Sequence, residues 1–129
     1  MIVILVTAKD RRQAGKIAAA LVGEKLAACV YIVPEGESFF FWEQQLRRSR
    51  EVLLIIKTEK VLFSLVRDRV KSLHSYQVPE IIALPVLAGD PAYAQWVSGA
   101  VKCPAFRAGF PGKRPLKRRQ TKTSKAQKG

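Results

Sequence analysis

Four aromatic residues in succession, Phe39, Phe40, Phe41 and Trp42, restrict the fold of this chain more than any other feature of its sequence. They lie in Ser38 to Gln45, which reads as a strand continuing the apolar run Leu26 to Val33 past a bend at Pro34 and Gly36. Side chains alternate across a strand, so rings stand on both of its faces at once. A sheet with helices on one face can bury only half of them. Each ring covers about 150–250 Å² when buried, at about 25 cal/mol per Å², so a wetted group costs several kcal/mol. A second copy of the chain is the expected cover; the alternative is a C-terminal tail folded back over the rings.

The segments around this strand supply a sheet and its helices. Ile2 to Val6 is a continuous aliphatic run and reads as a central strand covered on both faces. Asp10 can cap a helix from about Asp10 to Lys25, in which Ala14, Ile17, Ala18, Leu21 and Val22 recur at helical spacing. The polar stretch Arg47 to Arg50 is read as turning the chain into Val52 to Ile56, closing a hairpin too long and too apolar to stay uncovered. Thr58 is placed as the cap of a second helix with the stripe Leu62, Leu65, Val66, Val70 and Leu73, ending near His74. After Pro79, Ile81 to Val86 is a short strand whose Pro85 points to a sheet edge. Asp90 and Pro91 open a third helix with Tyr93, Trp96, Val97 and Ala100 on its apolar face. The order β-α-β-β-α-β plus a terminal helix predicts an α+β, ferredoxin-like βαββαβ sandwich: a four-stranded antiparallel sheet with two helices on one face.

Charge divides the chain in two. The net charge of +13 comes from 23 basic and 10 acidic residues, but nine of the basic ones and no acid lie from Cys103 to Gly129. Residues 1–102 keep 14 basic and all 10 acidic groups, a net of +4. The expectation is one folded domain over 1–102 and a basic, flexible tail over 103–129. Such a tail can neutralise phosphates without sequence preference, and Phe106 and Phe110 could stack on bases although they precede its densest basic run; the alternative is a solvated extension. No apolar run approaches the ~18 residues of a bilayer span and no basic segment precedes the apolar start, so membrane insertion and secretion are not expected and the cytoplasm is the expected location.

Two cysteines, Cys29 and Cys103, and one histidine, His74, cannot close a Cys/His zinc site within one chain, so any soft-metal site is open or shared between subunits. Cys29, in an apolar run, reads as a small buried hydrophobe, and Cys103 as the more accessible thiol. Catalytic machinery is missing from the pattern. There is no Ser in the Gly spacing of a nucleophile elbow, and no phosphate-cradling loop inside a strand–helix unit; Gly109 to Lys113 matches one only superficially. A binder, not an enzyme, is expected.

Taken together and in order, Val3 to Ala8 (VILVTA), Glu24 to Pro34 (EKLAACVYIVP), Phe41 to Glu43 (FWE), Glu51 to Thr58 (EVLLIIKT), Leu73 to Pro85 (LHSYQVPEIIALP) and Gly89 to Trp96 (GDPAYAQW) resemble the divalent-cation-tolerance proteins, CutA. The likeness covers residues 1 to about 102, and the tail has no counterpart in that family's common core. It implies a homotrimer of ferredoxin-like subunits paired through long hairpins and edge strands, and a metal-ion-responsive binding or regulatory role with copper(II) or another divalent cation as ligand. In some members the metal ligands resemble a Cys closing the first strand and a His pair before the aromatic step. Here those positions hold Val6, Leu73 and His74, so His74 is the one candidate metal ligand, with a helix-end capping role as the alternative. The likeness also places Trp42, Glu43, Lys57, Tyr76 and Glu80 around a crevice between subunits suited to a small anionic or metal-bound ligand. Packing or ion pairing at an interface would employ the same residues. Two further functions stay open beside metal response. One is a signalling trimer binding a small anion at its crevices, as the similar nitrogen-regulatory trimers do; the other is nucleic-acid association through the tail.

Overall fold

Alternation in the first strand decides the layout. In the computed structural model, which describes residues 1–102, β1 (Ile2–Ala8) buries every second residue, Ile2, Ile4, Val6 and Ala8, and turns Val3, Leu5 and Thr7 to the opposite face. The helix α1 (Arg11–Gly23) follows, its first turn capped by Asp10, whose carboxylate accepts from the Gln13 amide at 2.8 Å. Next come β2 (Cys29–Trp42) and β3 (Gln45–Thr58), then a 3-10 turn (Lys60–Leu62) leading into α2 (Phe63–Leu73), then β4 (Ile81–Pro85) and α3 (Pro91–Ala100). The sheet order is β2-β3-β1-β4 with every neighbouring pair antiparallel, so β1 is central and β4, with its Pro85, is an edge. Ala14, Ile17 and Leu21 of α1 and Val66 and Val70 of α2 pack with the buried residues of β1 and β3 into one core. This is the ferredoxin-like arrangement, with α3 added. Arg69 of α2 grips the Glu24 carboxylate with Nε and Nη2 (3.0 and 2.8 Å), and these hydrogen bonds hold that carboxyl below its ordinary range.

Three local expectations change. The hairpin turns at Glu43 and Gln44, both with positive φ (52° and 63°), and Arg47 to Arg50 lie inside β3 opposite Phe40 to Glu37. Two residues joining a tight hairpin must both be left-handed to match the strand twist, and neither Glu nor Gln advertises that geometry. Thr58 caps no helix: it ends β3 with its side chain fully buried, its hydroxyl donating to the Leu26 carbonyl at 2.7 Å. The third concerns cover. β1 is central, yet Val3, Leu5 and Thr7 are only half-buried, because no layer of this subunit lies over their face.

That open face is apolar. Register places Tyr31, Ile55, Leu5 and Ile82 side by side in one row across all four strands. Cys29 belongs to the same face, opposite Lys57, and is half-buried instead of buried. Beyond Ala8, β2 and β3 continue as a two-stranded ribbon of seven residue pairs from Gly36–Glu51 to Trp42–Gln45, about 23 Å long at ~3.3 Å per residue. Between Val33 and Gly36 the pairing slips by one residue, a bulge that absorbs Pro34 and Glu35. A Cβ on Gly36 would stand 3.2 Å from the Glu51 carbonyl oxygen, tighter than a side chain ordinarily takes, and glycine leaves that space open. The four rings of the ribbon are all exposed, Phe41 most of all at 70%.

Candidate functional site

Polar side chains converge where β1 ends. β4 stops opposite Val6, one residue short of Thr7, and α2 ends at His74, whose extended backbone (ψ 145°) carries the chain back over that end of the sheet. The His74 imidazole fills the gap. Its Nε2 lies 2.7 Å from the Thr7 carbonyl oxygen and its Nδ1 accepts from the Tyr76 amide at 3.1 Å. A carbonyl can only accept and an amide N–H can only donate, so the proton is on Nε2 and the lone pair on Nδ1. The ring also packs on Tyr76, centroids 4.7 Å apart, and the Tyr76 hydroxyl donates to Glu51 Oε2 at 3.1 Å. Burial, and then the hydrogen bond to Glu51, raises the Tyr76 phenol above its ordinary value. Thr7, His74, Tyr76 and Glu51 thus form one hydrogen-bonded chain from the central strand to the root of the ribbon.

A metal does not fit this arrangement within one subunit. The single imidazole lone pair is already engaged by the Tyr76 amide. Val6 is fully buried and neither it nor Leu73 has a donor atom. Among the described residues, no three of His, Cys, Asp and Glu gather closely enough to hold an ion. The helix-end role weighed for His74 is closer to what the geometry holds: the residue is the C-cap of α2, although its ring bonds to β1 and not to the helix carbonyls.

The crevice candidates fall in three places. Trp42 and Glu43 are at the ribbon tip, where Glu43 pairs with Arg47 at 3.6 Å. Tyr76 and Glu80 lie near the end of β1, beside Glu51 and just before β4. Lys57 is opposite Cys29 and Val3 near the other end of the sheet. Twelve residues of β3 separate the Trp42 partner Gln45 from Lys57, about 40 Å along the strand. One chain therefore brings Tyr76 and Glu80 into the same region and keeps Trp42, Glu43 and Lys57 apart. Sequence reasoning missed Glu51, which bears no motif of its own, and a group of cations around Lys9 whose spacing along the start of α1 was visible.

Over this architecture the family model for the CutA1 divalent ion tolerance protein matches residues 2–100. The chain belongs to the CutA1 family. The rice protein "Protein CutA 1, chloroplastic" is 41% identical over 101 residues, 78% of this chain and 57% of that protein. The solved structure of the divalent cation tolerance protein from Thermus thermophilus superposes with a TM-score of 0.77 at 42% identity, covering 79% of this chain and 100% of that one. A structure described as the periplasmic CutA of Archaeoglobus fulgidus gives 0.76 at 40% identity, covering 79% and 100%. This chain spans a little over half the length of the plant relatives it matches. CutA proteins with chloroplastic and periplasmic names overturn the expected cytoplasmic location, which family membership does not support. No helix among the described residues is long and apolar enough to cross a membrane. The tail 103–129, with Cys103, Phe106, Phe110 and the nucleic-acid role considered for it, lies outside the described residues.

Proposed function

We propose that this chain works as a homotrimeric divalent-cation tolerance protein that responds to metal ions by binding them, copper(II) being the first candidate, and that it does so without catalysis. Membership of the CutA1 family supports the cation-tolerance role. The observation that carries the reading is the uncovered apolar row of Tyr31, Ile55, Leu5 and Ile82 together with the exposed aromatic ribbon. Closing three copies around these surfaces buries them and gives the edge strands β2 and β4 partners. In such a ring the ribbon of one copy lies along the next, so that Trp42 and Glu43 meet the Tyr76 and Glu80 region of another chain and form the crevice, with Lys57 outside it near the other end of the sheet. Since no chelating set gathers among the described residues of one subunit, the proposal has the ion take donors from more than one copy.

Calorimetric titration of copper(II) into the wild type, Phe41→Ser and His74→Ala tests this. Binding is expected to disappear with assembly in Phe41→Ser, and to weaken in His74→Ala only where the ring exchanges its bond from the Tyr76 amide for the metal. Unchanged affinity in Phe41→Ser would overturn the shared site, and unchanged affinity in His74→Ala would remove His74 from the donor set.

A further inference from the structure

Lys9 stands between two grooves at the end of β1. One, about 580 Å³, runs between the start of α1 and the end of α2 and is lined by Lys9, Asp10, Arg12, Gln13, Lys16 and Leu73. The other, about 410 Å³, lies against the bulge and adds Arg11 and Arg50, but with Glu35 and Glu51 beside them. Both volumes fall within the range of small-ligand sites.

The larger groove is the more one-sided. Arg12 and Lys16 are one turn apart on α1 and so share a helix face, where like charges repel. Among the described residues, neither of them nor Lys9 comes within ion-pair distance of a carboxylate. Asp10, the one acid in the lining, commits Oδ1 to the Gln13 amide, and Gln13 in turn accepts from the Ser75 hydroxyl at 3.4 Å. Leu73 contributes a carbon wall with no donor or acceptor. Three cations against one carboxylate leave the groove net positive and repel a free divalent cation; what relieves their mutual repulsion is an anion carrying more than one charge.

We propose that this groove binds a small polyvalent oxyanion of the di- or triphosphate class, held by Arg12, Lys16 and Lys9. An arginine offers a planar fork to two phosphate oxygens and the lysines add point charges, the combination that such ligands require. The site uses none of the donors considered for a metal, so it stands apart from the cation reading.

Calorimetry at low ionic strength, with the full chain and inorganic pyrophosphate, then separately adenosine triphosphate, tests the proposal. The site variant is Arg12→Gln with Lys16→Gln. The control, Lys60→Gln with Arg67→Gln, removes the same charge from residues outside the groove lining and leaves the same basic tail. The wild type and the control should show one saturable site per subunit, weakened about tenfold for each cation removed in the site variant, about a hundredfold in all. Because the site variant loses a repulsive pair, it should melt no lower than the wild type, which separates lost binding from lost fold. Tighter binding of the nucleotide assigns the groove to phosphorylated metabolites whose organic part rests on Leu73, and equal binding assigns it to bare phosphate chains. Absence of a saturable site in the wild type, or equal weakening in the control, overturns the proposal.

Discussion

Replacing Phe41 by serine should dissolve the proposed trimer and leave the subunit intact. Phe41 is 70% exposed in the single chain, so of the ~200 Å² that a buried phenyl ring covers, about 140 Å² awaits a partner. At about 25 cal/mol per Å² this is worth ~3.5 kcal/mol per subunit, ~10 kcal/mol over three, or roughly seven powers of ten in the trimer dissociation constant. The subunit itself has little to lose, since substitution of a residue already in solvent shifts folding free energy by only about 0.5 kcal/mol. Light scattering coupled to size exclusion, run from high micromolar to nanomolar dilution, reads the assembly directly. Circular dichroism of the dissociated variant reads the fold. A wild type with the mass of one chain at micromolar concentration refutes the reasoning, as does a variant that dissociates at the same dilution as the wild type.

Thr58→Val keeps the shape of the side chain and leaves the part-buried Leu26 carbonyl without its donor; a loss of about 1–3 kcal/mol is expected in urea unfolding, and a loss under about 0.5 kcal/mol would show that water replaces the hydroxyl. Tyr76 should ionise above the ordinary phenol value of about 10 in an ultraviolet titration, because burial and the Glu51 hydrogen bond favour its neutral form. The folded protein holds that proton more tightly than the unfolded chain, so the contribution is complete below the unfolded value and fades as pH rises through the folded one. Tyr76→Phe should therefore abolish that titration step and flatten the alkaline decline in stability; an unchanged titration curve would place the step elsewhere.

Much of the scaffold was legible because burial period and capping chemistry agree. Asp10 and Asp90 cap the helices they were expected to cap, accepting from Gln13 and Tyr93. Pro85 marked an edge strand and the six matched segments named the family. The misread places share a cause: a residue type with a common local role serving another. Arginines that suggest a turn run along a solvated ribbon, while the turn itself falls on Glu43 and Gln44, which carry no turn signature. The threonine before a helix is spent on closing the core. For the site, His74 was found as a chemical type, but its function as a bracket between Thr7 and Tyr76 depends on β4 ending one residue early, which no spacing in the sequence encodes. The separation of Trp42 from Lys57 is likewise a matter of strand length, visible only once the hairpin is laid out.

The extra residue between Val33 and Gly36 acts as a parity switch. Were the same residues paired with no bulge, Phe39 and Phe41 would continue the face of Tyr31 and Val33; the bulge puts them on the side of Val52 and Leu54 and gives that place to Phe40 and Trp42. Deleting either Pro34 or Glu35 would remove the bulge and keep the pairs from Gly36–Glu51 onward, leaving Phe40 and Trp42 on the face of Tyr31 and Val33, whereas inserting one residue into each arm beyond the bulge would exchange the two ring pairs. Matched lengthening of the two arms is thereby confined to even steps, and a slip of one residue in the ribbon pairing would turn the wrong pair of rings toward the open face of the sheet.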